Sequence, residues 1–319
     1  MNFRTLLTAL IFGAAILSTA ASAEPVRIFA GSSPTFAPVF VADQQGYFKE
    51  EGLEAVVRPF PSGAEAIEGF RSGAADFLVA ADVPLSYLLT GGDVVMVAQF
   101  SQSSHFMVVV GPKEKMEAAD IKGKKIGLVS KSAGEYMLSR FLDSKGLTLN
   151  DVERINLAPF DQISALVQGD VYAVSSWKPF DQKMVQLSRG EMIPAAWNGQ
   201  VGFDIYSGIV AKRELLEKQP ETVEKVVRAL LKATKYLEKS GGVEANAADL
   251  AAYLKAPPAD VQSVLETNKW DMHVSKDFLD GMKSVGQFLE SQKLIAAPID
   301  WQKAFDWTAL KAVDASLVQ

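Results

Sequence analysis

From residue 26 onward the chain alternates short apolar, β-branched runs with stretches of helical periodicity, and it does so twice. This alternation dictates sheets whose neighbouring strands are linked by helices, because parallel strands need a long crossover. The first series predicts strands at 26–30, 53–60, 76–80, 94–100 and 106–110, with helices at 36–50, 63–72 and 84–89. The second predicts strands at 124–129, 152–157, 172–176 and 192–197, with helices at 133–145, 161–168 and 179–187. In the helix at 133–145, Leu138, Phe141 and Leu142 share one face, as a core stripe should. After a strand at 205–211 the chain is almost all helix. The longest helix, 221–238, turns Val223, Val226, Val227, Leu230, Leu231 and Leu237 inward.

Two such series predict an α/β protein of two lobes joined by two crossings around a ligand cleft. The restart near Gly111-Pro112 suggests one crossing, and Ser207-Gly208-Ile209 the return. The expected division is a discontinuous first lobe, 24–104 and 207–319, and a second lobe, 105–206. The tail helices are expected to cover the first lobe. Ligands of open α/β sheets bind beyond the carboxyl ends of the strands, which directs attention to the strand-to-helix loops.

The first residues are expected to be an address rather than part of the fold. Arg4 precedes the apolar run 6–17, and Ala21-Ser22-Ala23 fits the small-x-small cleavage rule. We read 1–23 as a secretory signal peptide cut after Ala23, too short in its apolar run to span a bilayer. Its loss moves the formal net charge from -6 to -7, since Arg4 is its only charge. A mildly acidic chain without a basic block argues against nucleic acid or anionic membrane as partner. There is no cysteine, which excludes disulfides, thiol catalysis, cysteine metal sites and an N-terminal lipid-modified cysteine. Such an exported chain points to the bacterial periplasm, with no membrane insertion after cleavage and a monomeric state expected.

Enzyme motifs are scarce. No G-x-x-x-x-G-K-[ST] is present, so a P-loop ATPase is excluded. Gly31-Ser32-Ser33-Pro34-Thr35 resembles a nucleophile elbow, but Thr35 stands where Gly is wanted. The only histidines are His105 and His273, and His273 lies in what reads as a solvated loop before a Ser-capped helix. Two histidines without cysteine leave little for a transition metal, and no cofactor is expected.

The cleft loops hold the candidates. Ser32, Ser33, Thr35 and Phe36 follow the first strand, Ser62 the second and Asp82 the third. Ser130, Ser132, Ala133 and Tyr136 follow the first strand of the second series, and Trp177 a later one. Together they offer hydroxyls, N–H groups and aromatic faces to a small polar ligand. Each also has a purely structural reading. Ser62 with Glu65, and Ser132 with Glu135, fit capping boxes, and Asp82 fits an N-cap with Pro84 in the first turn. Ser132 and Ala133 at a helix start suit an anion, whereas Glu135 competes with one. Lys131 and Lys178 either offset that charge or point into water.

Several stretches resemble the solute-binding proteins of bacterial ABC importers for sulfonates, nitrate, taurine and thiamine precursors, the aliphatic-sulfonate-binding and thiamine-pyrimidine-synthase-like family. These are Gly46-Tyr47-Phe48-Lys49-Glu50-Glu51-Gly52-Leu53, Pro61-Ser62-Gly63, Gly73-Ala74-Ala75-Asp76-Phe77, Asp82-Val83-Pro84, Gly123-Lys124-Lys125-Ile126, and Gly169-Asp170-Val171-Tyr172-Ala173 through Trp177-Lys178-Pro179-Phe180. The resemblance covers about residues 26–218. Ala81 departs from the usual Gly and Tyr172 from the usual Asp. Ser132-Ala133-Gly134 stands where many relatives have Gly-Ser-Ser, which removes hydroxyls offered to an oxyanion. The absent cysteine separates the chain from the synthase branch, which uses a cysteine-rich metal motif.

The resemblance implies a periplasmic binding protein of the type II-like fold, not an enzyme. Its ligand would be small and polar or zwitterionic, and would favour closure of the lobes. An inner-membrane ABC permease, powered by a separate ATPase, would recognise the closed form. Ser33, Thr35, Phe36, Asp82, Ser132, Ala133, Tyr136 and Trp177 are the expected walls. Two alternatives share the fold: a chorismate-dehydratase-like enzyme, which acts in the cytoplasm, and a periplasmic sensory protein that presents ligand to a membrane receptor.

Overall fold

The two alternating series fold into two mixed sheets. The computed structural model describes residues 25–60, 63–239 and 241–318, with the side chains of 63–65 left out. The expected signal peptide and Ser62 lie outside the described residues.

The first sheet contains β1 (Val26–Gly31), β2 (Ala55–Phe60), β3 (Phe77–Ala81) and β4 (Val94–Ser103). The second contains β5 (Met107–Pro112), β6 (Lys125–Leu128), β7 (Glu153–Asn156), β8 (Ala173–Trp177) and β9 (Met192–Trp197). The chain then returns to the first sheet through β10 (Ile205–Lys212) and β11 (Lys269–Trp270). The strand orders are β11-β4-β10-β3-β1-β2 and β7-β6-β8-β5-β9. Central strand β3 reads as a continuous apolar run, and β1 and β4 are buried throughout except at Arg27 and Gln102, as strands covered on both faces are. Edge strand β2 alternates exposed and half-buried residues, and it tolerates Pro59 because an edge needs fewer N–H donors.

Four expectations are corrected. The sheets are not purely parallel. Strand β1 runs parallel to β2 and β3, but β10 runs antiparallel to β3 and β4, and β5 antiparallel to β8 and β9. The strands that receive the chain from the other sheet are the reversed ones. The helix expected over 36–50 is three pieces, Pro34–Phe36, Ala37–Gln44 and Tyr47–Glu50. Gly46 breaks it, with φ of 75°, a conformation costly to residues with a Cβ.

Gly111-Pro112 is not a crossing: Gly111 pairs with Ile193 and Pro112 with Met192 inside the second sheet. The outward crossing is 104–106, and the return is 198–204, so Ser207-Gly208-Ile209 already lies within β10. Gly208 answers to packing, since a Cβ there would lie 2.2 Å from Met96 Cε and 2.5 Å from the Ala98 carbonyl.

The tail is the fourth. Helix Pro220–Glu238 buries the predicted face, all six named residues included, and packs on helix Ala37–Gln44 of the first lobe. Helix Lys276–Ser291 does more than cover that lobe. Its Val285, Phe288 and Leu289 join an apolar cluster with Tyr136, Met137 and Phe141 of the second lobe.

Candidate functional site

The two crossings run side by side, since β4 and β10 are neighbours in the first sheet. Asn198 clasps them. It is fully buried; its Oδ1 accepts from the N–H groups of Phe106 and Met107, both at 3.0 Å. Its Nδ2 donates to the carbonyls of Ser103, at 2.7 Å, and Phe203, at 2.9 Å. The Gly199 N–H adds a bond to the Ser104 carbonyl at 2.8 Å, and a Cβ on Gly199 would sit 2.8 Å from that same oxygen. Against this hinge the His105 ring stacks on Trp197, centroids 3.8 Å apart, and Lys178 Nζ lies 5.1 Å from the Trp197 ring. Partial burial, and then the Lys178 charge, hold the His105 imidazole below its ordinary range.

The first lobe's loops are largely satisfied from within. Ser32 is exposed and Ser33 half-buried, its Oγ accepting a long bond of 3.4 Å from the Thr35 N–H. Thr35 is buried, donates its hydroxyl to Asn268 Oδ1 at 3.1 Å, and accepts at its carbonyl from Ser101 Oγ at 3.2 Å. Phe36 is buried in the first-lobe core, packed close over Gly31.

Asp82 is not the N-cap. Ala81 holds that position and Asp82 opens the helix Asp82–Leu89. Its Oδ1 accepts from the Val83 N–H at 2.7 Å and its Oδ2 from the Tyr206 N–H at 3.1 Å, tying β3 to the start of β10. Burial pushes the Asp82 carboxyl up to about 7, against the pull of those two N–H groups.

In the second lobe the junction after β6 is small and polar because a helix starts there under a close neighbour. Ser132 caps helix Ala133–Asp143, accepting from the Gly134 N–H at 3.0 Å and donating to the Val129 carbonyl at 2.7 Å. Ser175 Oγ donates to the Gly134 carbonyl at 2.7 Å, and a Cβ on Gly134 would come within 3.1 Å of the Ser175 carbonyl.

The expected capping box is half present. Glu135 reaches the Lys131 N–H at 3.0 Å rather than that of Ser132, and its other oxygen meets Arg154 Nη1 at 2.7 Å. The buried Glu135 charge is therefore paired, by Arg154 and not by Lys131 or Lys178. Ser130 is exposed, its N–H donating to Asn156 Oδ1 at 2.9 Å, and Ala133 is buried.

Tyr136 faces the tail. Its hydroxyl lies 2.8 Å from Ser284 Oγ, and its ring is 4.8 Å from Phe203 and 5.1 Å from Phe288. It joins the lobes through an apolar contact. Trp177 ends β8 half-buried, its ring edge-on to Phe180 at 6.1 Å, and Phe180 meets the exposed Phe160 at 5.3 Å.

The loop hydroxyls at Ser32, Ser33 and Ser130 and the half-buried Trp177 are the accessible candidates. Thr35, Phe36, Asp82, Ala133 and Tyr136 are buried. Neither histidine bonds to Ser32 or Ser33. His273 Nδ1 lies 2.5 Å from Asp271 Oδ1 on an exposed loop, before a helix that Ser275 caps. Among the described residues no cluster of His, Asp or Glu is arranged to hold a metal ion. Sequence reasoning missed Asn198, whose only signal is an Asn-Gly turn after a strand.

Residues 33–240 match the family model described as NMT1/THI5 like. A Brucella abortus protein provisionally named a binding protein is 26% identical over 231 residues, 72% of this chain and 71% of that protein. A Bacillus subtilis protein provisionally named an aliphatic sulfonates-binding protein is 25% identical over 302 residues, 90% and 87% of the two chains. The fold is similar to that of the Xanthomonas axonopodis alkanesulfonate-binding protein bound to MOPS. The TM-score is 0.72 at 20% identity, over 89% of this chain and 98% of that one.

Proposed function

The chain belongs to the NMT1/THI5-like family, and from that premise we propose that it is the periplasmic solute-binding component of an ABC importer. It binds a small polar or zwitterionic organic molecule between its lobes, in the class of sulfonates, nitrate or thiamine pyrimidines, and is not an enzyme. The observation that carries this reading is the hinge. Two adjacent crossings, clasped by one buried asparagine, let two lobes approach one another without rearranging either sheet. Ser32, Ser33, Ser62, Ser130, Ser132 and Trp177 supply the walls. Asp82 and Tyr136 act behind them, Asp82 at the hinge and Tyr136 in the apolar contact between lobes. The first lobe is 24–104 with 207–319, and the second is 105–206. A leader, 1–23, exports the chain, and an inner-membrane permease with its own ATPase receives the loaded, closed form.

Thermal unfolding of the mature protein with taurine, alkanesulfonates, nitrate and a thiamine pyrimidine tests this. A ligand at 100 times its Kd stabilises by about 2.7 kcal/mol, which raises Tm by roughly 5 °C or more for a chain of this size. A flat response to the whole panel contradicts the reading.

A further inference from the structure

We propose that Asp181 is the receptor for a cationic group on the ligand, an ammonium or a protonated heterocyclic nitrogen, and that the solute is therefore not a simple anion. The inference rests on the solute-binding reading above and assigns the ligand's charge within it.

Three acidic side chains are buried among the described residues: Asp82, Glu135 and Asp181. The first two are fully engaged, Asp82 by two N–H groups and Glu135 by Arg154 and the Lys131 N–H. Asp181 is only 5% exposed, yet its Oδ1 meets no donor among the described residues. The N–H groups of Gln182 and of Asp181 itself act on the carboxyl, but Oδ1 stays without a donor, which is costly for a buried carboxylate.

The nearby cation does not bond to this oxygen. Lys178, three residues earlier, carries its Nζ over the Trp197 ring, 5.1 Å from the centroid. Its charge is felt at Asp181 only through space. The first-turn position in helix Phe180–Leu187 favours a carboxylate but does not require its burial, since the dipole also acts on exposed side chains.

Position supplies the function. Asp181 follows the carboxyl end of β8, where ligands of such sheets bind. Asp260 acts on it from the helix Pro258–Leu265, which packs against the turn Pro34–Phe36 of the first lobe. Two like charges on opposite lobes resist closure, and a cation between them turns that repulsion into attraction. Phe180, next to Asp181 in the chain, meets Trp177 edge to face, centroids 6.1 Å apart, and aromatic rings suit an ammonium or a flat heterocycle.

The test is calorimetric titration of the mature protein with matched pairs: taurine against ethanesulfonate, and a 4-aminopyrimidine against the same ring without its amine. In the wild type, the amine-bearing member should bind at least tenfold more tightly. In Asp181→Asn that ratio should fall to near one, while the melting temperature is kept or raised because a buried charge has been removed. Asp260→Asn, on a half-exposed side chain, gives a second reading and should narrow the ratio less. Equal binding of the amine-free member by the wild type overturns the inference and leaves the solute reading intact. So does an unchanged ratio in Asp181→Asn. Binding of none of the four probes overturns the solute reading for these classes, and the inference falls with it.

Discussion

Asn198 and Asp181 are buried polar side chains in neighbouring parts of the molecule, linked through the bond from the Lys178 N–H to the Phe106 carbonyl. At the hinge, Asn198 uses both acceptor sites of its Oδ1 and both hydrogens of its Nδ2 on main-chain groups of the crossings. At the end of β8, Asp181 leaves an oxygen unmet. The contrast separates two uses of buried polarity. A saturated group fixes a geometry, because any displacement strands several donors and acceptors at once. An unsaturated one stores a demand that an arriving molecule can meet. Asn198 thus holds the two crossings together, and the turn after β8 is left open to a partner.

The largest expected effect breaks the saturated side. Asn198→Ala leaves two N–H groups and two carbonyls without partners, and at about 1–3 kcal/mol for each unmet buried group the loss of stability should reach about 4 kcal/mol. Urea unfolding checks this, and a loss below about 1 kcal/mol would remove Asn198 from its place in the comparison.

Next comes Asp82, which shares the hinge but carries charge. Its carboxyl is raised from 3.8 to about 7, so between those values the folded protein holds a proton that the unfolded chain has released. Stability should therefore fall as pH rises through that window, by up to a few kcal/mol at about 1.4 kcal/mol per unit. Asp82→Asn should flatten the slope. A wild-type curve that rises across the same window would contradict it.

Trp177→Ala sharpens the other side: binding of the best ligand should weaken about tenfold, or about 1.4 kcal/mol, with Tm little changed because the ring is only half-buried. Unchanged affinity removes Trp177 from the walls. The smallest effect is at Ser132. Loss of its cap in Ser132→Ala should cost about 1 kcal/mol of stability, and any loss of affinity beyond that would show that its hydroxyl also meets the ligand.

Much of the fold was legible because strands and helices differ in period. The twofold alternation, most element positions and the inward face of helix Pro220–Glu238 follow from that alone. Strand direction does not, since an apolar run reads alike both ways, and so the reversed β5 and β10 were invisible. Gly111-Pro112 looked like a break between lobes, yet both residues extend β5 at its pairing with β9. Gly46 stood inside an amphipathic pattern that its left-handed turn interrupts.

In the site, loop positions could be read but side-chain directions could not. Ser132 is legible as a cap, whereas the partner of Glu135 lies on β7, 19 residues away. Tyr136 was placed on the right helix, but its meeting with Ser284 joins residues 148 apart. Asn198 carries only an Asn-Gly turn signal and Asp181 only a first-turn acid, because what distinguishes them is the number of partners that the folded chain brings to each.

Closure by a bound solute is directly measurable, because the sequence contains no cysteine to compete with introduced labels. Val56→Cys on β2 and Val167→Cys on the helix Pro159–Gln168 place spin labels at exposed sites, one on each lobe. The distance distribution between them should be taken without ligand and with the panel member that most raises Tm. A shorter, narrower distribution with ligand is the predicted result, and an identical distribution under saturation would contradict the account.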